Sequence, residues 1–219
     1  MLSDGSKVNR SSSPSLRNDG RVVAIVNVLE GSNPIFLVAL VIYVWIRHHF
    51  MTAQRFAETE VDGVSARDRA LIALMGITVI LLPVLYLLSP LFRFADYPLP
   101  MLLRCLGALI ISLSLLLFWR SHADLGANWS PSLEIRKNHC LVNTGVYSRV
   151  RHPMYSSIWL WCLGQGIMLP NLVVGWAPTL CFTVMYFTRV RREEQLMRDR
   201  FGAAYEEYQT QTGRLIPKF

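Results

Sequence analysis

Apolar residues in this chain are gathered into long runs rather than spaced along one face of amphipathic helices. Residues 71–92 contain no Asp, Glu, Lys or Arg, and a helical run of that length crosses the ~30 Å hydrocarbon core of a bilayer. A second run, 105–119, extends toward Pro100 past Arg104, and a third covers 34–46. Two more, 156–170 and 172–188, are separated only by Pro170 and Asn171. A soluble helical bundle carries polar faces on such segments, and 71–92 has none. The pattern predicts an all-α integral membrane protein with about five transmembrane helices, the last two forming a hairpin. Such a hairpin returns Arg151, His152 and Tyr155 to the side of Arg189, Glu193 and Glu194, so that its ends build a polar pocket at the membrane surface.

The polar stretches divide the chain further. Residues 1–32 read as a polar tail, disordered over its Ser- and Asn-rich start. The short apolar stretch 22–29 is broken by Glu30 and does not make a signal-peptide core. Residues 33–119 hold the first membrane helices, and 120–219 hold the chemistry. Ser65 with Asp68 three residues on is a helix start of capping-box type. Pro83 and Pro90 fall inside and at the end of the second span, where neighbouring helices accommodate kinks. From Arg189 the chain reads as a helix leaving the membrane. Phe201, Tyr205 and Tyr208 recur at helical spacing, an aromatic set suited to the membrane surface, with Gly202 as a break.

Composition supports the membrane reading: 52% of residues are hydrophobic and 17% charged, against about 25% charged in soluble domains. The formal net charge is +7. Arg120, Arg136, Lys137, Arg149 and Arg151 sit in the connection 120–152. Arg189, Arg191, Arg192, Arg198, Arg200, Arg214 and Lys218 sit in the tail, and the turn at 170–171 has no cation. The positive-inside rule places the connection and the C-terminus in the cytoplasm, and five spans put the N-terminus outside. A cytoplasmic membrane face accounts for this charge, so nucleic acid is not an expected partner. The four cysteines show no C-x-x-C pair and no Cys/His spacing of zinc type, so they are expected to be small buried apolar residues and no metal site is expected. His48 and His49 close the first span at the interface.

Two adjacent acids at a helix end in the interface need partners or a cationic ligand. Arg189 stands one turn before Glu193, on the same face. The pair is either a plain helix salt bridge, or it offers a cation to an anionic substrate and an acid to a cationic cofactor. Pro153 suits a first helical turn, and Arg151 and His152 before it are either interfacial anchors or part of the same pocket.

Two strings carry a resemblance. The first is H-x-L-V-x-x-G-V-Y-x-x-x-R-H-P-x-Y, from His139 to Tyr155. The second is R-x-x-x-E-E-x-x-x-x-x-x-F-G-x-x-Y-x-x-Y, from Arg189 to Tyr208, followed by R-L-I-P at the end. Together they resemble the isoprenylcysteine carboxyl methyltransferases, over about 95 residues from Ala127 onward; residues 1–119 match only as membrane helices. The resemblance implies S-adenosylmethionine as cofactor. His139, Cys140, Leu141 and Val142 would border it, and Gly145, Tyr147, His152, Pro153, Met154 and Tyr155 would close round it. It implies Glu193 as the acid that binds the cofactor and Arg189 as the arginine that holds the substrate carboxylate; Arg189 and Glu194 are the expected catalytic residues. Cys140 and Asn143 replace commoner residues, and Ser132 stands where eukaryotic members have glutamine.

The implied chemistry fits the residue types. An acid can pair an ammonium, and aromatic faces such as those of Tyr147 and Tyr155 attract a cation. No G-x-G-x-x-G follows a strand, which excludes a Rossmann-type methyltransferase. A carboxylate acceptor is already ionised and needs alignment rather than a base. A pocket at the membrane surface suits a lipidated small-molecule or peptide substrate, with membrane lipid as surroundings. The alternatives are a lipid amine N-methyltransferase, in which Glu194 or His152 serves as base, a sterol-type membrane reductase, and a non-enzymatic membrane protein with a degenerate pocket.

Overall fold

The computed structural model describes residues 33–52, 65–126 and 140–218. The expected tail 1–32, Ser132 and His139 lie outside the described residues. Six helices are described: α1 (Asn33–Thr52), α2 (Ala66–Leu88), α3 (Met101–Leu125), α4 (Pro153–Met168), α5 (Ala177–Phe201) and α6 (Ala203–Gln211). Among the described residues there is no β-strand, only two isolated bridges, so the all-α expectation holds. α1, α2 and α3 are each long and apolar enough to cross a membrane. Their outward faces carry Val41, Leu102 and Leu116, all well exposed, as lipid-facing surfaces do. The chain is a multi-pass membrane protein.

The helices start and stop where their residues dictate. Ser65 caps α2 in a complete capping box with Asp68. α2 ends at Leu88, before Pro90, and α4 begins on Pro153, whose missing N–H is no loss in a first turn. α5 runs unbroken from the membrane half into the charged half and stops at Gly202, whose φ of +51° suits glycine. α6 then continues the aromatic string.

The packing of α3 on α4 depends on small residues, the usual device where lipid offers no hydrophobic drive between helices. A Cβ on Gly164 would stand 2.5 Å from the Ile111 side chain, and one on Gly107 2.9 Å from Met168. The Ser114 hydroxyl donates to the Ser157 carbonyl at 2.7 Å. Tyr43 of α1 stacks on Phe118 and leans on Trp161, with centroids 4.9 and 4.7 Å apart, which joins α1 to the α3–α4 pair.

The hairpin differs from the expected one. Helix α4 ends at Met168 and α5 begins at Ala177, so 172–176 is turn, not the start of the fifth apolar helix. The Asn171 side chain organises it. Its oxygen accepts from the Val173 and Val174 amides at 3.0 and 2.8 Å, while its amide donates to the Phe92 carbonyl and Asp96 at 2.6 and 2.7 Å. Asn171, Val174 and Gly175 of this turn are buried while Leu172 and Val173 stand exposed, and the Leu172 amide donates to the Ala95 carbonyl at 2.9 Å, which ties the turn to the loop between α2 and α3. Tyr97 seals it, donating to the Gly166 carbonyl at 3.0 Å and accepting from the Trp176 indole at 3.1 Å. The cysteines also depart in part from expectation: Cys162 and Cys181 are buried, but Cys105 and Cys140 are exposed, because they lie on the outer face of α3 and on a surface segment.

Pro83 reshapes α2 one turn before itself. Residues Ile77–Leu81 form a π-turn, and the Leu82 amide donates to Ile77 instead of Thr78. Pro83 has no N–H to offer, so the Thr78 carbonyl loses its helical donor. Gln165, fully buried in α4, replaces it: its amide donates to the Thr78 and Val174 carbonyls at 3.1 and 3.0 Å, and its oxygen accepts from the Trp161 indole at 3.0 Å. All of Gln165's polar atoms are thereby used in a setting without water. Gln165→Leu leaves three buried groups unmatched and should cost on the order of 1–3 kcal/mol for each group stranded. Pro83→Ala restores a donor for Thr78 and should reduce the penalty of Gln165→Leu. Thermal unfolding of the two single variants and the double in one detergent measures this; a double variant no more stable than Gln165→Leu would disprove the donor replacement.

Candidate active site

The returning C-terminus builds the site. After α6 the chain runs back beside the start of α4. Val150 pairs with Gly213 in a parallel bridge, and the Arg151 and His152 amides donate to the Gly213 and Arg214 carbonyls at 2.9 and 3.0 Å. The Ser156 hydroxyl donates to the Leu215 carbonyl at 2.6 Å. Arg151 anchors the same strap from the other side, donating to the Gln209 carbonyl at 3.1 Å and to the Thr212 carbonyl. The residues just before α4 thus pair with the tail by main-chain bonds, and α5 lies across both.

Glu194 is where these pieces meet. It is 2% exposed. Arg214 grips it with two prongs, Nε to Oε1 at 2.9 Å and Nη2 to Oε2 at 2.6 Å. Arg151 Nε and His152 Nε2 approach the same Oε1 at 3.5 and 3.4 Å. Burial works to raise the carboxyl pKa, but the bonds and charges of His152 and Arg214 outweigh it and hold the group down at about 2. The same pairing raises the Arg214 pKa.

Glu193, 100° further round the helix, keeps 23% of its side chain exposed. Tyr155 donates its hydroxyl to Glu193 Oε1, Arg189 Nη2 stands 3.7 Å from that oxygen, and His152 Nδ1 stands 3.6 Å from Oε2. His152 therefore bridges the two acids. Its ring stacks on Tyr155 at 5.5 Å, and Tyr155 meets Tyr186 edge-on at 5.6 Å. The result is an open acid beside aromatic faces and a buried arginine, at the mouth of the α4–α5 pair.

A turn at Gly145–Ser148 forms the adjoining wall. Gly145 has φ +59°, and a Cβ there would stand 2.2 Å from Asp124 Oδ2. That oxygen accepts from the Val146 amide at 2.8 Å and ties the turn to the end of α3. Tyr147 is buried, donating to the Ser121 carbonyl at 3.2 Å while its own carbonyl accepts from the Tyr208 hydroxyl at 2.6 Å. Burial raises the Tyr147 pKa, and that of Tyr208 to about 12, so both stay neutral. Tyr205 and Tyr208 are both buried rather than laid on a membrane surface, and Tyr208 lies against this wall through its bond to Tyr147.

Of the residues singled out from the sequence, the structure gathers His152, Tyr155, Arg189, Glu193 and Glu194 into one cluster. Pro153 is buried at the helix start and Met154 half-buried beside it. Cys140, Leu141 and Val142 lie on the segment leading into the Gly145 turn, Cys140 exposed and the other two half-buried; His139 falls outside the described residues. Asp124, Arg214 and Thr212 were not singled out as site residues. Only Arg214 carried a signal, as the cation of the terminal R-L-I-P string.

The pKa of Glu194 fixes a pH signature. Its folded value is depressed from 4.5 to about 2, so its contribution to stability is full above about pH 4.5 and fades as pH falls toward 2. Glu194→Gln should be less stable at neutral pH and should lose that part of the acid dependence. Melting temperature against pH for both proteins in the same detergent checks this; parallel curves would show that Glu194 is not held ionised by its neighbours.

Known proteins are similar to this chain. Residues 105–199 match the isoprenylcysteine carboxyl methyltransferase (ICMT) family. This is an earlier start and an earlier end than the motif strings suggest, taking in α3 and stopping before Tyr205. The protein-S-isoprenylcysteine O-methyltransferase of Schizosaccharomyces pombe is 30% identical over 113 residues, 52% of this chain and 46% of that protein. The cobalt-zinc-cadmium resistance protein CzcN of Cupriavidus metallidurans is 34% identical over 118 residues, 53% of this chain and 50% of that protein. The aligned region thus spans about half the length of these relatives. A solved structure of the eukaryotic intramembrane Ras methyltransferase ICMT superposes with a TM-score of 0.58 at 22% identity, covering 90% of this chain and 72% of that one. From Cys105 to Asp199 the chain carries the sequence pattern of the isoprenylcysteine carboxyl methyltransferases, and over most of its length it shares a fold with one of them.

Proposed function

We propose that the protein is an S-adenosylmethionine-dependent methyltransferase acting on the carboxylate of a lipidated, isoprenylcysteine-like substrate. Residues 120–219 form the catalytic region, the α4–α5 hairpin contributes two further spans, and the pocket faces the cytoplasm. The observation that carries the proposal is the division of labour between adjacent acids. Glu193 is partly open beside the rings of His152 and Tyr155, and Arg189 lies one turn away. An open carboxylate flanked by aromatic faces is suited to a sulfonium–ammonium ligand, so the donor set fits this cofactor.

Bound there, S-adenosylmethionine supplies an electrophilic methyl group. Glu193 pairs the ammonium, and Tyr155 orients Glu193 through its hydroxyl bond. The His152 ring shields the carboxylate from water, and the Gly145–Ser148 turn with Leu141 and Val142 closes the opposite wall. Arg189 holds the acceptor carboxylate in place, and its position at the head of the apolar hairpin lets a lipid tail lie among the helices. The acceptor oxygen is already an anion, so no residue has to remove a proton. Alignment and exclusion of water supply the catalysis.

Glu194 takes a supporting role in this reading. A carboxyl held at about 2 by His152 and Arg214 is a poor proton acceptor near neutral pH, which counts against amine methylation with Glu194 as base. The charge balance favours an anionic acceptor as well: Arg151, Arg189, Arg192 and Arg214 face Glu193, Glu194 and Asp68, an excess of one cation.

Glu193→Gln should weaken binding of tritiated S-adenosylmethionine by about ten- to a hundred-fold, the worth of a charge-assisted bond of roughly 1.5–3 kcal/mol, with the fold intact. Unchanged affinity in a well-folded variant would leave Glu193 a plain partner of Arg189. Incubation with a prenylcysteine acid should yield a base-labile methyl ester; a base-stable product from phosphatidylethanolamine would establish the amine reading instead. Arg189→Lys should cut methyl transfer strongly while cofactor binding persists, because lysine lacks the planar two-pronged donor. Equal loss of both activities would make Arg189 a support of the cofactor pocket.

A further inference from the structure

Asp68 stands in the first turn of α2, outside the region matched by the methyltransferase family. As the third residue of a capping box, such an acid ordinarily sits at an exposed helix end. Here it is 2% exposed. Its Oδ2 accepts from the Ser65 hydroxyl at 2.8 Å, the Ser65 amide at 3.3 Å and Arg192 Nη1 at 3.2 Å. Its Oδ1 is buried with no hydrogen-bond partner among the described residues. Stability alone does not explain a carboxylate buried with one oxygen unmatched, because capping needs only Oδ2 and burial of the other oxygen is a cost.

Arg192 lies three residues after Arg189, one turn along the same side of α5, and immediately before Glu193. Two arginines so placed repel each other and compete for the same anion. Neutralised by Asp68, Arg192 is withdrawn from that competition, and the turn of α5 that carries Arg189 is pinned to α2.

Resting on the methyltransferase reading above, we propose that Asp68 is a positioning residue of this site: through Arg192 it fixes the turn of α5 that presents Arg189 to the acceptor carboxylate. Asp68 belongs to the Arg189 side of the helix, so it governs the acceptor more than the cofactor.

The test uses the full chain in lipid nanodiscs, with Asp68→Asn, Asp68→Glu, Arg192→Gln and the Asp68→Asn/Arg192→Gln double variant. The affinity for tritiated S-adenosylmethionine is measured directly. Acceptor KM and kcat are measured with a prenylcysteine acid. Asp68→Asn should raise acceptor KM about ten-fold with cofactor affinity held within about two-fold, a split that a merely structural role does not produce. Arg192→Gln should reproduce the split, the double variant should be no worse than either single, and Asp68→Glu should retain activity. Unchanged KM, or KM and cofactor affinity moving together, overturns the proposal. Additive losses in the double variant overturn the route through Arg192. If Asp68→Asn does not fold, Arg192→Gln decides alone, its side chain being 45% exposed. An unsubstituted protein that does not methylate the prenylcysteine acid removes the underlying reading and this role with it, whereas an active parent with an unchanged Asp68→Asn removes only the role.

Discussion

The site hangs on one buried carboxylate. Glu194 is ionised at the junction of three chain segments: α5 that carries it, the start of α4 through Arg151 and His152, and the C-terminal strap through Arg214. A buried ion pair contributes little net stability on average, yet removing one partner is strongly destabilising because the other charge is stranded. That asymmetry makes such a cluster a register device. Only one arrangement of strap, hairpin and tail helix satisfies Glu194, and in that arrangement Glu193 is left on the open side with Tyr155 and His152. The open acid is therefore a product of the closed one.

The membrane half follows a different economy. α1 to α3 present apolar side chains outward and meet α4 through glycines, serines and stacked rings. Two interior side chains serve main-chain groups there: Gln165 serves the carbonyl that Pro83 strands, and Asn171 serves the turn at the opposite end of the hairpin. α4 has 16 residues, about 24 Å of helix, and the apolar half of α5 is shorter still. The charged cluster is consequently set at the head of a short hairpin.

Much of this was legible in the residues. Charge-free runs announced the membrane helices, the Ser65–Asp68 spacing announced the start of α2, and Gly202 marked the end of α5. Two motif strings announced which polar residues would meet. The hairpin turn was not legible, because 172–176 is as apolar as the helices beside it, its polar support comes from Asn171 and the loop 92–97, and an apolar run does not distinguish turn from helix. The different fates of Glu193 and Glu194 were also hidden. They are neighbours at one helix end, and the residue that separates them, Arg214, arrives from the far end of the chain. The burial of Tyr205 and Tyr208 was hidden for the same reason: Tyr208 bonds the Tyr147 carbonyl, which is distant in sequence.

The same long-range logic joins the two halves of the molecule. The family pattern begins at Cys105, so α1 and α2 look like generic membrane anchors by sequence. Yet α2 meets the hairpin at two levels, through Asp68 to Arg192 of α5 near the charged cluster and through the Thr78 carbonyl to Gln165 of α4. A helix required only to span a bilayer needs neither a buried acid at its first turn nor a proline that strands a carbonyl. Each feature costs stability unless its partner in the hairpin is in place. α2 is thereby matched to this particular hairpin, and an exchange for another helix of equal hydropathy would leave Arg192 without its acid and Gln165 without its carbonyl.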